Sequence, residues 1–350
     1  MKTLKNFPVL SLTLAVSFAL TACGGGSTPT SVTPPVVVTP PPPTVIPADL
    51  QLTVPAPPFA AGSDQLVAFN FVNDFRRSLG LGLYAYNEAL TKASLNHVNY
   101  VLTNNSGADY HKEIATMPGF TGVNPIDRAN FAGYATNNFV TEDGGSSRTL
   151  LGGMQRLIDT VYHRTTFIGQ GYKDIGFSFT NIPCPQCFGT LSFNVNIGAI
   201  SKQRNASDFV MVYPKNGETN VNLSMGAETP NPFPEIKIPN FPEPTTPANN
   251  PLLLIGYPIT IAVEASQVLK VTSFTTTEAG QTAPLPAWLV TFDNDQNRIV
   301  QPNEANLTAK GALKPNTVYN VSFIGSANGR DIIRNWSFTT ASRQLNQTLD

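Results

Sequence analysis

The chain is poor in charged residues and in histidine, and this scarcity narrows the classes of function to consider. Lys, Arg, Asp and Glu make up 13% of its 350 residues, and the formal net charge is -1. Proteins that bind nucleic acid neutralise phosphates with clustered Lys and Arg, so this nearly balanced charge predicts no nucleic-acid partner. Only three histidines are present, which limits the places where acid–base or metal chemistry can lie.

Common catalytic motifs and paired cysteines are scarce as well. The sequence contains neither a Gly-x-Ser-x-Gly nucleophile motif nor a His-Glu-x-x-His zinc motif. Besides Cys23, the only cysteines are Cys184 and Cys187, in the tetrapeptide Cys-Pro-Gln-Cys between two strand-like runs. In an oxidising compartment we expect this pair to form a structural disulfide at a hairpin tip. A redox-active pair is the alternative but favours a helix N-terminus, and a zinc site needs two further ligands.

The N-terminus has the features of a lipoprotein signal peptide. Lys2 and Lys5 precede an apolar run over residues 7–20, which is too short to span a bilayer comfortably. The run ends in Leu-Thr-Ala-Cys, a lipobox whose cysteine, Cys23, accepts the lipid. We therefore predict a signal peptide over residues 1–22 and a membrane partner reached through the lipid anchor.

Residues 23–58 have the composition of a tether. Three glycines follow Cys23, and prolines cluster over residues 34–43 and 55–58, where they favour extended polyproline conformations. Few apolar side chains are present here to compensate the entropy of ordering. The residue after the lipidated cysteine is glycine, which in an enteric-type envelope favours the outer membrane. We expect a protein of the bacterial cell envelope, lipid-anchored to the outer membrane.

The segment from 59 to 204 has the pattern of an α+β domain. Apolar residues recur at helical spacing in three stretches, 63–79, 87–103 and 150–163. Two strand-like runs follow, over 174–180 and 190–199, and predict an antiparallel hairpin. Residues 104–149 are rich in Asn, Gly and Thr and are predicted to be mostly loop, with a short turn of helix over Arg128 to Tyr134. His97 lies on the apolar face of the second helix, where a histidine is more often a hydrogen-bonded core residue than a ligand.

The composition changes near residue 205, where helical periodicity ends. Proline, threonine and asparagine become frequent, and short runs of β-branched and aromatic residues alternate with turn signals. This pattern predicts an all-β sandwich over residues 205–341, followed by a tail over 342–350.

Titratable groups concentrate between residues 97 and 174. All three histidines lie there, and the acidic pair Glu142 and Asp143 separates His111 from His163. We therefore expect any function beyond adhesion or scaffolding to depend on this segment. The alternative is that His111 and His163 only take part in a structural hydrogen-bond network.

Several short motifs between residues 64 and 200 occur in a recognisable order. They are Phe71-Val72-Asn73-Asp74-Phe75, Asn87-Glu88-Ala89-Leu90, Asp109-Tyr110-His111, Arg128-Ala129-Asn130-Phe131-Ala132-Gly133-Tyr134, Glu142, His163-Arg164 and Tyr172-Lys173-Asp174-Ile175-Gly176. In this order they resemble the bacterial form of the CAP superfamily (cysteine-rich secretory, antigen-five and pathogenesis-related proteins), also called the SCP domain.

The resemblance implies a three-layer α-β-α sandwich with a central groove. In the family two histidines and one or two acids meet in this groove, which in some members binds a divalent metal. Carried over, these residues are His111, Glu142 and His163, with Asp174 as a possible neighbour. The sequence has Asp143 where the family has an asparagine after the glutamate, so the acidic position could shift from Glu142 to Asp143.

The C-terminal region resembles a bacterial immunoglobulin-like domain. The matching segments are Tyr213-Pro214, Leu313-Lys314-Pro315-Asn316 and Trp336-Ser337-Phe338-Thr339-Thr340. The resemblance implies an all-β, immunoglobulin-like sandwich that serves as a spacer or adhesion domain.

Two functions from different classes are compatible with these features. The first is a non-enzymatic binding module whose groove takes a divalent metal, with zinc foremost, or a small apolar or peptidic ligand or surface protein. The alternative is a metal-dependent hydrolase, a protease or nuclease at the cell surface, because two imidazoles and a carboxylate suit a catalytic zinc.

Overall fold

A computed structural model describes residues 44–104, 110–137, 139–180, 191–236 and 255–345. The predicted lipidation site Cys23, the signal peptide, most of the tether and the Cys184–Cys187 pair lie outside these residues. From Val45 onward the chain forms one contiguous unit. Among the described helices, none combines the length and hydrophobicity that crossing a bilayer requires.

The N-terminal part alternates helices with the strands of one sheet. Its helices are α1 (Asp64–Ser78), α2 (Glu88–Asn104), α3 (Pro125–Phe131), α4 (Leu150–Ile158) and α5 (Tyr162–Ile168). Its strands are β1 (Ala85–Tyr86), β2 (Thr141–Ser147), β3 (Asp174–Thr180) and β4 (Leu191–Gly198). The strand order is β1-β3-β4-β2, so β2 lies at an edge of the sheet. Only β1 and β3 run parallel.

The sheet is covered by helices on both faces, which confirms the predicted three-layer α-β-α sandwich. One face is apolar: Phe177, Val195 and Ile197 pack with residues of α1, α4 and α5 in a common core. The opposite face lies against α2 and is largely polar. There Asn196 donates a hydrogen bond from Nδ2 to Ser94 Oγ (2.9 Å), and Ser94 Oγ donates to the carbonyl of Gly176.

Gly176 permits the close approach of α2 to β3. A Cβ at this position would lie 2.2 Å from the backbone nitrogen of Thr91 and 2.4 Å from the carbonyl carbon of Leu90. Backbone atoms cannot yield as a flexible side chain would. The polar face of the sheet therefore packs against the helix backbone because this residue has no side chain.

We expect Gly176→Ala to destabilise the chain by about 1–3 kcal/mol, the usual cost of overpacking. Gly171→Ala is the matched control, since a Cβ there would meet no atom within 4 Å. Urea unfolding followed by circular dichroism measures both variants. Equal midpoints would show that α2 can move away from the sheet at little cost.

Two local features differ from the sequence prediction. The predicted helix over 150–163 is two helices, because α4 ends at Ile158 and α5 begins at Tyr162. The segment predicted as loop before residue 149 contains the edge strand β2, which pairs with β4 over its whole length. Tyr110 covers β2 at Gly144, where a Cβ would lie 2.2 Å from the tyrosine hydroxyl.

The C-terminal part is a sandwich of two four-stranded sheets. Its strands are β5 (Val210–Tyr213), β6 (Glu218–Val221), β7 (Ile259–Val263), β8 (Leu269–Glu278), β9 (Ala287–Thr291), β10 (Glu304–Ala309), β11 (Val318–Ala327) and β12 (Arg330–Thr340). One sheet has the order β5-β7-β10-β9 and the other β6-β12-β11-β8. Residues from both sheets share one apolar core, which includes Ile261, Phe323 and Trp336. The predicted β-sandwich is thus present, and its immunoglobulin-like character stays a prediction.

The outer face of the β5-β7-β10-β9 sheet is buried against the N-terminal part. Arg164 of α5 is fully buried and donates to the carbonyl oxygens of Ile158 (2.6 Å) and Pro258 (2.8 Å) and to Thr260 Oγ1 (2.8 Å). Its guanidinium also lies over the rings of Tyr213 and Tyr257. The predicted domain limits at 59, 204 and 341 stay a prediction, but the two parts share an extensive polar interface.

We expect Arg164→Met to destabilise the full chain by at least about 3 kcal/mol, because it leaves several buried acceptors without a donor. Arg77→Met is the control, since the Arg77 guanidinium is largely exposed and pairs only with Asp74 on the same helix. A surface ion pair of this kind contributes at most about 1 kcal/mol. Denaturant unfolding would contradict the expectation if both variants lost the same stability.

Candidate binding groove

The candidate groove is centred on the edge strand β2, where two consecutive acids point to opposite faces of the sheet. Successive side chains of a strand alternate between its faces. Glu142 reaches the α2 side, where Arg128 donates from Nη2 to its Oε1 (2.6 Å). Asp143 reaches the α5 side, where the Thr166 hydroxyl hydrogen-bonds to it. Both acids are buried.

Glu142 is held in its ionised form by the groups around it. Its Oε1 lies 3.3 Å from His111 Nδ1 and 3.6 Å from His97 Nε2. Burial alone would raise the pKa of Glu142, but the hydrogen bond to His111 and the charges of His97 and Arg128 lower it to about 2. Glu142 is therefore ionised throughout the neutral range.

His97 is a buried residue behind the groove, as its place on the apolar face of α2 predicted. Its Nδ1 lies 2.9 Å from Glu113 Oε1, and its Nε2 lies 2.7 Å from the carbonyl oxygen of Tyr110. Glu113 also accepts a hydrogen bond from the Thr121 amide (2.7 Å). Both ring nitrogens are hydrogen-bonded and the ring is fully buried. His97 therefore supports the groove and is not accessible to a ligand.

His111 and His163 are the accessible imidazoles, with 42% and 17% of their side chains exposed. Burial would lower the pKa of His111, but the hydrogen bond and charge of Glu142 and the charge of Asp143 raise it. Burial likewise opposes protonation of His163, whose pKa is raised by the hydrogen bond that its ring donates to Glu228 and by the charge of Asp143. The two rings interact electrostatically across the edge of β2.

Asp174 lies apart from this group. It begins β3, opposite Gly198 of β4, and accepts a hydrogen bond on Oδ2 from the Tyr134 hydroxyl (2.6 Å). Burial raises the pKa of Asp174, and the Tyr134 hydrogen bond partly offsets that effect. Of the predicted set, His111 contacts Glu142, whereas His163 contacts Glu228 and Asp174 contacts Tyr134. That these residues form one groove stays a prediction.

Two carboxylate oxygens of the groove are buried without a partner. Glu142 Oε2 and Asp143 Oδ2 have no hydrogen-bond partner among the described residues. Burial raises the pKa of Asp143 to about 6, with the charges of His163 and His111 and the Thr166 hydrogen bond acting in the opposite direction. Acceptors in this state are best satisfied by a ligand that brings hydrogen-bond donors or positive charge.

The described residues of the groove do not form a ready metal site. In the parts of the chain that the structure describes, no group of three or more His, Cys, Asp or Glu side chains is close enough to hold a metal ion. The geometry agrees with this, because Glu142 Oε1 is engaged by Arg128, and His163 Nδ1 lies 3.1 Å from Glu228 Oε2. The predicted zinc therefore stays a prediction.

Three residues of the groove were absent from the sequence-predicted set or only an alternative in it. Asp143 was the alternative to Glu142, and the structure engages both. Arg128 lies in one of the recognised motifs. The acids Glu113 and Glu142, nearby in the sequence, were the signal that could have indicated its ion pairs. Glu228 lies 65 residues beyond His163 in a stretch of low sequence complexity, so no local pattern indicated it.

The comparisons agree with this architecture. Residues 69–189 match the model of the cysteine-rich secretory protein family, CAP, so this part of the chain is a CAP, or SCP, domain. The search of curated proteins returned no match.

Two solved structures show weak similarity to this chain. An outer surface protein of Borrelia burgdorferi is 15% identical, with a TM-score of 0.32 over 40% of this chain and 95% of its own. An extracellular SCP-domain protein of Bacillus anthracis is 13% identical, with a TM-score of 0.30 over 41% of this chain and 45% of its own.

We expect Asp143→Asn to stabilise the chain near neutral pH. The pKa of Asp143 is raised from 3.8 to about 6, so its burial costs nothing below the lower value and the full amount above the higher one. The gain is at most about 3 kcal/mol at about pH 7.5 and vanishes near pH 4. Thermal unfolding at both pH values measures it, with the exposed Asp331→Asn as control. A gain equal at both pH values would contradict the assignment.

Proposed function

We propose that the protein is a binding module of the cell envelope whose CAP groove takes a cationic ligand. The ligand is the ammonium or guanidinium group of a peptide, and a divalent metal ion is the other outcome that the test below separates. The observation that carries this proposal is the buried oxygen Asp143 Oδ2, which has no partner among the described residues and lies within the electrostatic influence of the accessible His163. Glu142 Oε2 is likewise unpartnered, on the opposite face of β2 beside His111.

The charge balance of the groove supports a cationic ligand. Its buried carboxylates are Glu113, Glu142, Asp143 and Glu228. The only permanent cation in contact with them among the described residues is Arg128, whose Nη2 is committed to Glu142. Protonation of His111 and His163 relieves part of the excess, which is consistent with the upward direction of both pKa shifts. A ligand cation would supply the same compensation and release those protons.

The proposed location in the envelope comes from the N-terminal sequence. The lipobox at Cys23 and the Pro-rich stretch up to residue 58 predict a lipid anchor and a tether. A groove held away from the membrane in this way is suited to ligands that reach the cell surface from outside.

The test is a titration of the purified full chain in detergent, without a polyhistidine tag, which would itself bind metal. In one arm Zn²⁺ is added in a calorimeter. In the other, a random-sequence peptide array is scored for enrichment of Lys, Arg and free N-terminal amines. We expect Asp143→Asn to weaken binding in the productive arm by about 10- to 100-fold, since it removes a charged hydrogen-bond acceptor.

Asp174→Asn is the matched control, because it removes one carboxylate from the same domain outside the groove. Binding that survives in this control and is lost in Asp143→Asn supports the proposal. The arm that shows stoichiometric binding identifies the ligand as a metal or a peptide cation. The proposal is wrong if neither arm shows binding, or if both variants bind as the unchanged chain does.

A further inference from the structure

The N-terminus of α5 is capped by a residue from the C-terminal part of the chain. Val161, the residue before the helix, makes no side-chain cap of its own. Instead, one carboxylate of Glu228 accepts from the amides of Val161 (2.9 Å) and Tyr162 (2.9 Å), and more weakly from that of His163 (3.4 Å). A buried carboxylate at a helix start satisfies free amides and complements the helix dipole.

The same carboxylate determines how His163 presents its ring. Nδ1 of His163 lies 3.1 Å from Glu228 Oε2 and 3.1 Å from Thr160 Oγ1. The Thr160 hydroxyl donates its hydrogen to the carbonyl of Leu157 (2.9 Å), so towards His163 it can only accept. Both neighbours of Nδ1 are therefore acceptors, and Nδ1 carries the proton. In the neutral ring Nε2 then carries no proton and can accept a hydrogen bond.

Glu228 belongs by sequence to the C-terminal part. The segment that precedes it is bound to both parts: Asn222 donates to Asp159 Oδ2 of the CAP domain (2.7 Å), and Gln344 Oε1 accepts from the amide of Ser224 (3.0 Å). After it, Phe233 stacks on Trp288 of β9. Glu228 also lies beyond residue 189, where the match to the CAP family ends.

We propose that Glu228 is a positioning residue for the groove, so that the C-terminal part completes the site of the CAP domain. By accepting the hydrogen bond from Nδ1, Glu228 sets the tautomer and orientation of His163. The way His163 presents its ring therefore depends on a residue outside the CAP match. The consequence for ligand binding rests on the proposed function, but the positioning itself does not.

The experiment follows the three histidines of the full chain by NMR after labelling with ¹³C,¹⁵N-histidine. His97, His111 and His163 are assigned by single substitutions. The groups that face His163 are Glu228, Thr160, Asp143 and His111. In the neutral ring we expect Glu228→Gln, which keeps the size of the side chain but removes the carboxylate acceptor, to reduce the share of the Nδ1-protonated tautomer of His163 and to leave His111 nearly unchanged.

Asp295→Asn is the matched control. Asp295 also belongs to the C-terminal part and accepts from the Tyr162 hydroxyl (2.5 Å), but it does not contact His163. A purely structural role for Glu228 predicts that both variants lose stability and neither changes the tautomer of His163. That result would overturn the proposal, as would equal changes in the tautomer of His163 in both variants.

A measurement on the unchanged chain keeps the proposal testable if Glu228→Gln does not fold. At a pH above the titration midpoint of His163, its ¹⁵N chemical shifts should show that Nδ1 carries the proton and Nε2 does not. The opposite tautomer would exclude the assigned role. Because no ligand is added in any of these measurements, their failure is distinguishable from failure of the proposed binding function.

Discussion

The polar groups of α5 are the constraint on which the rest of the structure depends. This short helix is buried between two parts of the chain, and each buried N–H or charge left without a partner costs about 1–3 kcal/mol. Arg164 finds its acceptors at Ile158, Pro258 and Thr260, and the first amides find Glu228. The C-terminal part is thus held in one orientation by hydrogen bonds, which are directional, as well as by apolar contact.

Besides this rigidity, the groove contains a buried charge that lowers the stability of the fold. Glu142 is balanced by Arg128 and His111, whereas Asp143 is buried with an unpartnered oxygen and with its pKa raised to about 6. A structural network would be expected to satisfy all its members, because partial satisfaction is costly in a medium of low dielectric constant. Residues that lower stability in this way are found preferentially at functional sites. In the proposed function, the cationic ligand is what would satisfy these oxygens.

Much of the fold is predictable because its signals are local. Ser63 and Asn87 cap α1 and α2, and the apolar spacing of both helices places them within a residue or two of the prediction. The strand β2 was missed because Gly144 and Gly145 break any alternating apolar pattern. Its conformation comes from pairing with β4 and from the cover that Tyr110 provides, and both are contacts between residues distant in sequence.

One feature of the sequence could have predicted that the two parts pack against each other. Every residue of strand β7, Ile259–Val263, is buried. In a sandwich strand with one face towards solvent, buried apolar residues would alternate with exposed polar ones. Ile259, Ile261 and Val263 fill the sandwich core, while Ala262 packs with Leu79, Leu81 and Ile168 of the CAP domain. The run of apolar residues indicated that both faces of this sheet are covered. It could not indicate Glu228, because a capping carboxylate is defined by where it lies in space and not by its neighbours in the chain.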